Sequence, residues 1–240
     1  MAQELKLFPL QAAVIEALHH AFSSHKNILI QAPCGFGKTE LATAILKSVR
    51  KNYKRGAFVM DRISLVNQAS ERFDKYGLDH GIMQAQNARS DRNNPIQIVS
   101  LATLKDSPLD VNLLVVDECH VLPTSLRKRL TQRRGERGRF TIGLTATPFT
   151  KGLGKYFDHV INAATTNQLI ADGRLVPYRV WAASEPDMTG AKVVAGEWSE
   201  KEVESRSLPI IGDVIHGYKL HGQNKKFIAF ASTTFNLKLM

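Results

Sequence analysis

The sequence predicts an α/β fold, a parallel sheet with helices on both faces. Short apolar runs alternate with stretches of helical periodicity through the first 150 or so residues. One run, VNLLVVDE (Val111–Glu118), stays apolar until it ends in two carboxylates, as a central strand covered on both faces should. A glycine-bearing turn, APCGFGKT (Ala32–Thr39), joins an apolar run to a helical one.

Taken in order, LQAAVIEALHHAF (Leu10–Phe22) places apolar residues at helical spacing and predicts a helix ending near Ser23. NILIQA (Asn27–Ala32) reads as a short buried strand, and KTELATAILKSVRKNY as a helix of about four turns. GAFVMD predicts a strand, and SLVNQASERFDKYG a helix with Gly77 as its stop signal. PIQIVSLATL gives a strand running into a short turn, and VNLLVVDE the central strand. A helix over roughly Thr124–Arg134 precedes the strand RFTIGLTA. After about Leu175 the pattern changes. VPYRVWAA suits a strand, SEPDMTGAKVVAGEWSEKEVESRSLP is polar and loop-like, GDVIHGYKLH is helical, and KKFIAFAS reads as a new strand. The expected organisation is a first domain over 1–175, a linker over 176–207, and the beginning of a second domain over 208–240.

Charge adds a partner class. Thirty-two Lys and Arg against 22 Asp and Glu leave a net charge of +10, which suits a polyanion because basic side chains replace counterions condensed on phosphates. Solubility alone is the alternative reading of that charge. Ser125–Phe140 concentrates seven basic residues and one acidic, read as a solvated face. No apolar run approaches the length of a membrane span, and MAQELKLFPLQ lacks the pattern of a secretory signal. Two cysteines, Cys34 and Cys119, are too few for a disulfide framework and fit two buried, reduced thiols in a cytoplasmic protein.

The glycine turn has the context that phosphate binding needs. Glycines let the backbone curve inward so that its N–H groups converge on an anion at a helix N-terminus. Pro33, Cys34, Gly35, Phe36 and Gly37 would form the cradle, Lys38 would reach the outer phosphates, and the Thr39 hydroxyl would join a Mg²⁺ shell. About 80 residues later, Asp117 and Glu118 stand at the C-terminal end of a parallel strand, where ligands bind in open α/β sheets. Asp117 would hold Mg²⁺ through water, and Glu118 would deprotonate the water that attacks a γ-phosphate. Together these features predict a nucleoside triphosphatase of the phosphate-loop class.

Further segments narrow the class. DECH (Asp117–His120) resembles motif II of superfamily 2 helicases and translocases, the DEAD/DEAH-box group in the broad sense, in its restriction-enzyme and DNA-repair branch. APCGFGKT fits the AxxGxGKT variant of that group's phosphate loop, and LTATP (Leu144–Pro148) resembles its motif III. LFPLQ (Leu7–Gln11) is similar to the L-R-P-Y-Q segment whose glutamine reads adenine, with Phe8 and Leu10 departing from Arg and Tyr. VMDRISLVNQ and IVSLATL resemble motif Ia and the segment after it that ends in Thr-Leu. The resemblance implies a RecA-like domain that binds ATP and Mg²⁺, with Gln11 at the adenine. It implies a second RecA-like domain, in cis or in trans, that completes the site. It also implies a nucleic-acid strand, DNA in preference to RNA, gripped by Arg62, Ser100 and Thr103. His120, Thr145, Ala146 and Thr147 would link the nucleotide to domain closure.

Phe157–Val180 resembles the segment that leads out of the first domain in helicases akin to restriction-enzyme motor subunits, and KKFIAFAS resembles the opening of the second. These 240 residues contain no Q-x-x-G-R-x-G-R type segment, the source of arginine fingers in that group. An arginine finger is worth about 10³–10⁵ in rate, so the expectation is ATP and nucleic-acid binding with slow hydrolysis. A non-catalytic ATP-gated clamp or partner subunit, an RNA helicase, and a phosphate-loop kinase or AAA+ ATPase stay open as alternatives.

Overall fold

Seven strands build the sheet: β1 (Asn27–Gln31), β2 (Gly56–Met60), β3 (Gly81–Met83), β4 (Ile96–Ser100), β5 (Leu113–Val116), β6 (Phe140–Thr145) and β7 (His159–Asn162). They run parallel in the order β3-β4-β2-β5-β6-β1-β7. The computed structural model describes residues 2–52, 54–84, 87–104, 109–180, 185–194, 197–208 and 211–228. The connecting helices are α1 (Pro9–Ala21), α2 (Lys38–Lys51), α3 (Ile63–Lys75), α4 (Leu101–Leu104), α5 (Thr124–Gly135) and α6 (Thr166–Ala171).

Alternation along the strands divides the core in two. Ile28, Ile30, Phe58, Ile98, Val115 and Ile142 pack with Leu18 of α1, Leu41 and Leu46 of α2 and Phe73 of α3. Their neighbours Leu29, Val59, Val99, Leu114 and Val116 pack on the opposite face with Leu126 and Leu130 of α5. A strand buried on both sides cannot alternate apolar with polar, which is why the central strands read as continuous apolar runs. In β6 the close packing requires a glycine. A Cβ on Gly143 would lie 2.5 Å from Phe157 Cζ and 2.7 Å from Cys119 Sγ. Among the described residues no helix is long and apolar enough to cross a membrane.

The chain divides into two compact units, Met1–Val176 and Pro177–Met240. The second holds a two-residue antiparallel pair, β8 (Val193–Val194) with β9 (Glu197–Trp198), then α7 (Glu200–Ser207) and α8 (Ile211–His221). The stretch read as loop therefore contains a helix. No residue of α7 is buried, so it carries no apolar stripe to betray it. Its signals are local: acidic Glu200 and Glu202 in the first turn, Arg206 in the last, and a Glu202–Arg206 pair at 3.0 Å. The strand expected over 176–183 is absent from 176–180, and 181–183 lie outside the described residues. Of the expected strand KKFIAFAS, 225–228 carry no regular structure and the remainder lies outside the described residues.

The sheet gains two strands that the sequence pattern did not announce, β3 and β7, and they are its two edges. β3 has three residues, and β7 has one buried residue in four. Both are strands because a formed neighbour offers them a ladder rather than because of their own periodicity.

The basic stretch around α5 is solvated at Arg127, Lys128, Arg134 and Arg137. Arg133 departs from that expectation and is buried. Its guanidinium donates to the carbonyls of Val111 (3.0 Å), Asn112 (3.2 Å) and Phe140 (2.9 Å), the approaches to β5 and β6. Burial and then the neighbouring Arg139 charge push its pKa down to about 10, so it remains a cation at neutral pH. Arg133→Met should keep the volume while stranding those carbonyls. The loss should be about 2–3 kcal/mol, read as a lower urea midpoint at unchanged slope; an unchanged midpoint would show that the guanidinium does not hold the strand entrances together.

Candidate functional site

The sequence-predicted residues converge where β1, β6 and β5 end side by side. The backbone fixes this convergence. Ala32 N–H, leaving β1, donates to the Thr145 carbonyl at 2.9 Å, and Cys119 N–H, leaving β5, donates to the Leu144 carbonyl at 3.0 Å. Asp117 N–H donates to the Val59 carbonyl of β2 at 2.9 Å. The last residues of β6 thus hold the glycine turn on one side and the DECH segment on the other.

Between Ala32 and Lys38 the turn needs two left-handed residues, Gly35 at φ +82° and Gly37 at φ +80°. Gly37 caps α2, so Lys38 and Thr39 open that helix and its free N–H groups face the turn. The loop is braced from beneath. Phe36 is fully buried and meets Phe8 edge to face at 5.3 Å. The buried Gln11 amide donates to the carbonyls of Phe36 (3.0 Å) and Gly37 (3.3 Å), while its oxygen accepts Phe8 N–H (3.3 Å). Both donors of Gln11 are occupied by the loop itself, so contact with a base requires exchange of one of them. Leu175 covers the other side, and a Cβ on Gly35 would lie 2.5 Å from its Cδ2.

Behind this loop the charged groups form a chain of contacts. Lys38 Nζ lies 3.4 Å from Glu118 Oε1, and His120 Nδ1 lies 3.3 Å from Glu118 Oε2. The same His120 nitrogen is 2.9 Å from Thr145 Oγ1, which accepts the Thr147 N–H at 3.0 Å. Glu118 adopts φ +45°, a left-handed conformation that costs an ordinary residue about 1 kcal/mol or more. Its N–H is held by Asp117 Oδ1 at 3.0 Å. That turn of the backbone carries the chain out of β5 and presents the Glu118 carboxylate to Lys38.

Asp117 is the most perturbed carboxyl of the group. Burial and then the adjacent Glu118 charge push its pKa up to about 6. A divalent cation beside it would relieve both causes. Among the described residues there is no group of three or more His, Cys, Asp and Glu that could hold a metal. The two thiols differ from expectation: Cys119 is buried, where desolvation pushes its pKa far up, while Cys34 in the loop is exposed.

The residues expected at a nucleic-acid strand are less uniform. Arg62 is well exposed at the end of β2, beside Asp61 at 3.7 Å. Ser100 is buried, and its hydroxyl accepts Thr103 N–H at 3.2 Å and meets the Thr103 hydroxyl at 2.8 Å. This pair caps α4 rather than presenting two free donors. Sequence reasoning missed Arg174, Leu175 and Phe8 as parts of the loop's surroundings. The unusual aromatics at positions 8 and 36 were the available signal.

The Asp117 environment sets a sign. A carboxyl held at about 6 keeps its proton better in the folded chain, so without metal the stability falls as pH rises from about 4 to about 6 and stays lowered above that. Asp117→Asn should therefore raise the denaturation midpoint at pH 7, by on the order of 2 kcal/mol, and change little at pH 4. An equal effect at both pH values would remove charge burial as the cause.

The family model described as type III restriction enzyme, res subunit, matches residues 4–150. A 51.5 kDa protein of a Lactococcus phage (isolate 7-9) is 24% identical over 207 residues, 85% of this chain and 43% of the phage protein. The ATP-dependent RNA helicase DHX58 of Mus musculus is 30% identical over 169 residues, 57% of this chain and 25% of that helicase. The chain thus spans less than half the length of the curated relatives it matches. The UvsW helicase from bacteriophage T4 superposes with a TM-score of 0.56 at 15% identity, over 68% of this chain and 63% of that one. Its likeness, with the sheet order, shows an α/β fold of the RecA-like kind.

Proposed function

The chain belongs to the family described as type III restriction enzyme, res subunit, and has the RecA-like fold of superfamily 2 helicases; on that premise we propose that it is the ATP-binding motor domain of a DNA helicase or translocase. The observation that carries the reading is the contact chain from Lys38 through Glu118 and His120 to Thr145, set against a glycine loop at a helix N-terminus. Its members are the groups that phosphoryl transfer needs, at the strand ends where α/β sheets bind ligands.

In this reading the loop N–H groups of 35–39 receive the phosphates, and Lys38 leaves Glu118 for the outer phosphate oxygens. Glu118, released on one oxygen, takes the proton of the attacking water as the bond between the γ-phosphorus and the bridging oxygen breaks. Mg²⁺ held by Thr39 and, through water, Asp117 would neutralise charge on the phosphates. His120, turned between Glu118 and Thr145, is placed to report phosphate release to the loop at Ala146 and Thr147. Motor action further requires a second RecA-like domain, in cis or in trans. We assign 1–175 to the motor domain, 176–207 to the linker and 208–240 to the start of a second domain. Because this reading draws an arginine finger from the second domain, hydrolysis by these 240 residues alone should be slow.

DNA is favoured over RNA by the family's description as a restriction enzyme; the RNA helicase relative makes RNA the competing outcome. The net charge of +10 and the exposed Arg62 suit contacts to the phosphate backbone of either.

Lys38→Ala should abolish ATP binding by calorimetry, and unchanged affinity would refute the loop's role. Glu118→Gln should keep ATP bound while turnover falls about 100-fold or more; brisk hydrolysis by that variant would remove Glu118 as the base. Affinity for single-stranded DNA should drop at least about tenfold between roughly 50 and 200 mM salt. A flat dependence would count against phosphate contacts.

A further inference from the structure

We propose that Arg174 and Phe8 form a stacking platform for the base of the bound nucleotide, and that this platform accepts purine bases by their flat faces rather than selecting adenine by hydrogen bonds. The proposal rests on the reading of the glycine loop as a triphosphate site.

Arg174 Cζ lies 3.4 Å from the centre of the Phe8 ring. The ring therefore covers the guanidinium on one side, while Arg174 as a residue is exposed. Among the described residues no side-chain hydrogen bond or ion pair engages this guanidinium. Its backbone is firmly placed. Arg174 N–H and Leu175 N–H both donate to the Leu169 carbonyl, at 2.9 and 3.1 Å, closing the C-terminus of α6. The preceding Gly173 turns the chain with φ +67°. The next residue, Leu175, sits over Gly35 of the loop. Phe8 in turn touches Phe36 of the same loop. An arginine stacked on a ring at the border of a phosphate cradle is placed to take a base on its other face, giving a ring–guanidinium–base sandwich.

Gln11 explains why the platform reads shape. Its amide donors already hold the Phe36 and Gly37 carbonyls, and its oxygen already accepts Phe8 N–H. Donating to a base would loosen the loop that holds the phosphates. Stacking on a cationic plane, in contrast, serves any base with a π-face.

The test is titration calorimetry of the 240-residue chain with Mg·ATP, Mg·GTP and Mg·tripolyphosphate. ATP and GTP should bind within about threefold of each other, and tripolyphosphate, lacking a base, at least about tenfold more weakly. Arg174→Ala should weaken both nucleotides by about tenfold and leave tripolyphosphate unchanged, with Arg174→Lys recovering part of the loss. Phe8→Leu, which preserves the apolar packing, should show the same selective loss. The proposal is overturned if Arg174→Ala shifts tripolyphosphate as much as ATP, if it shifts neither, or if ATP is preferred to GTP by more than about thirtyfold. If wild type binds none of the three probes, the triphosphate reading itself fails, and this proposal with it.

Discussion

The site depends on the position of one strand end. β6 lies between β1 and β5 in the sheet, and its last two residues take backbone hydrogen bonds from both neighbours, Ala32 from one side and Cys119 from the other. Thr145 then adds side-chain contacts, to His120 and to Thr147. The loop, the paired carboxylates and the Thr-Ala-Thr segment are about 30 to 110 residues apart in sequence, yet none can shift without straining a bond to the others. Gly143 belongs to the same constraint. It lets Cys119 and Phe157 close over β6, and so lets the DECH segment lie where Thr145 can reach it.

Around that frame the charged groups are arranged with tension rather than for maximum stability. Glu118 holds a left-handed backbone, and Asp117 is buried beside a second carboxylate with its pKa pushed up to about 6. Lys38 answers part of this charge from 3.4 Å. Such a set is poorly satisfied alone, which is the expected pattern where local rules yield to chemistry. The contrast with Arg133 is instructive. Its buried charge meets three carbonyls and lies at the opposite ends of the strands.

Much of this was legible in the sequence. The central strands and α1, α2, α3 and α5 announce themselves because both faces of the sheet are covered and the helices carry apolar stripes. That Lys38, Glu118 and Thr145 would lie close together was legible because the ends of neighbouring parallel strands meet at one edge of the sheet. The edge strands β3 and β7 were not, since their order comes from a neighbour's ladder. α7 was hidden because its order is electrostatic and local. Ser100 and Thr103 illustrate another limit: a hydroxyl pair suited to a phosphate is equally suited to capping a short helix, and here it caps α4. Arg174 escaped notice because stacking on Phe8 joins two segments that no local pattern connects.

The most direct test of the account is ATP turnover measured with and without single-stranded DNA and RNA, on this chain and on a form joined to a second RecA-like domain. The account predicts slow, unresponsive hydrolysis by the 240 residues alone and a rise of several orders of magnitude, DNA above RNA, once the second domain completes the site. ATP binding without any response to nucleic acid in either form would contradict it, and would make the loop and its carboxylates a switch rather than a motor.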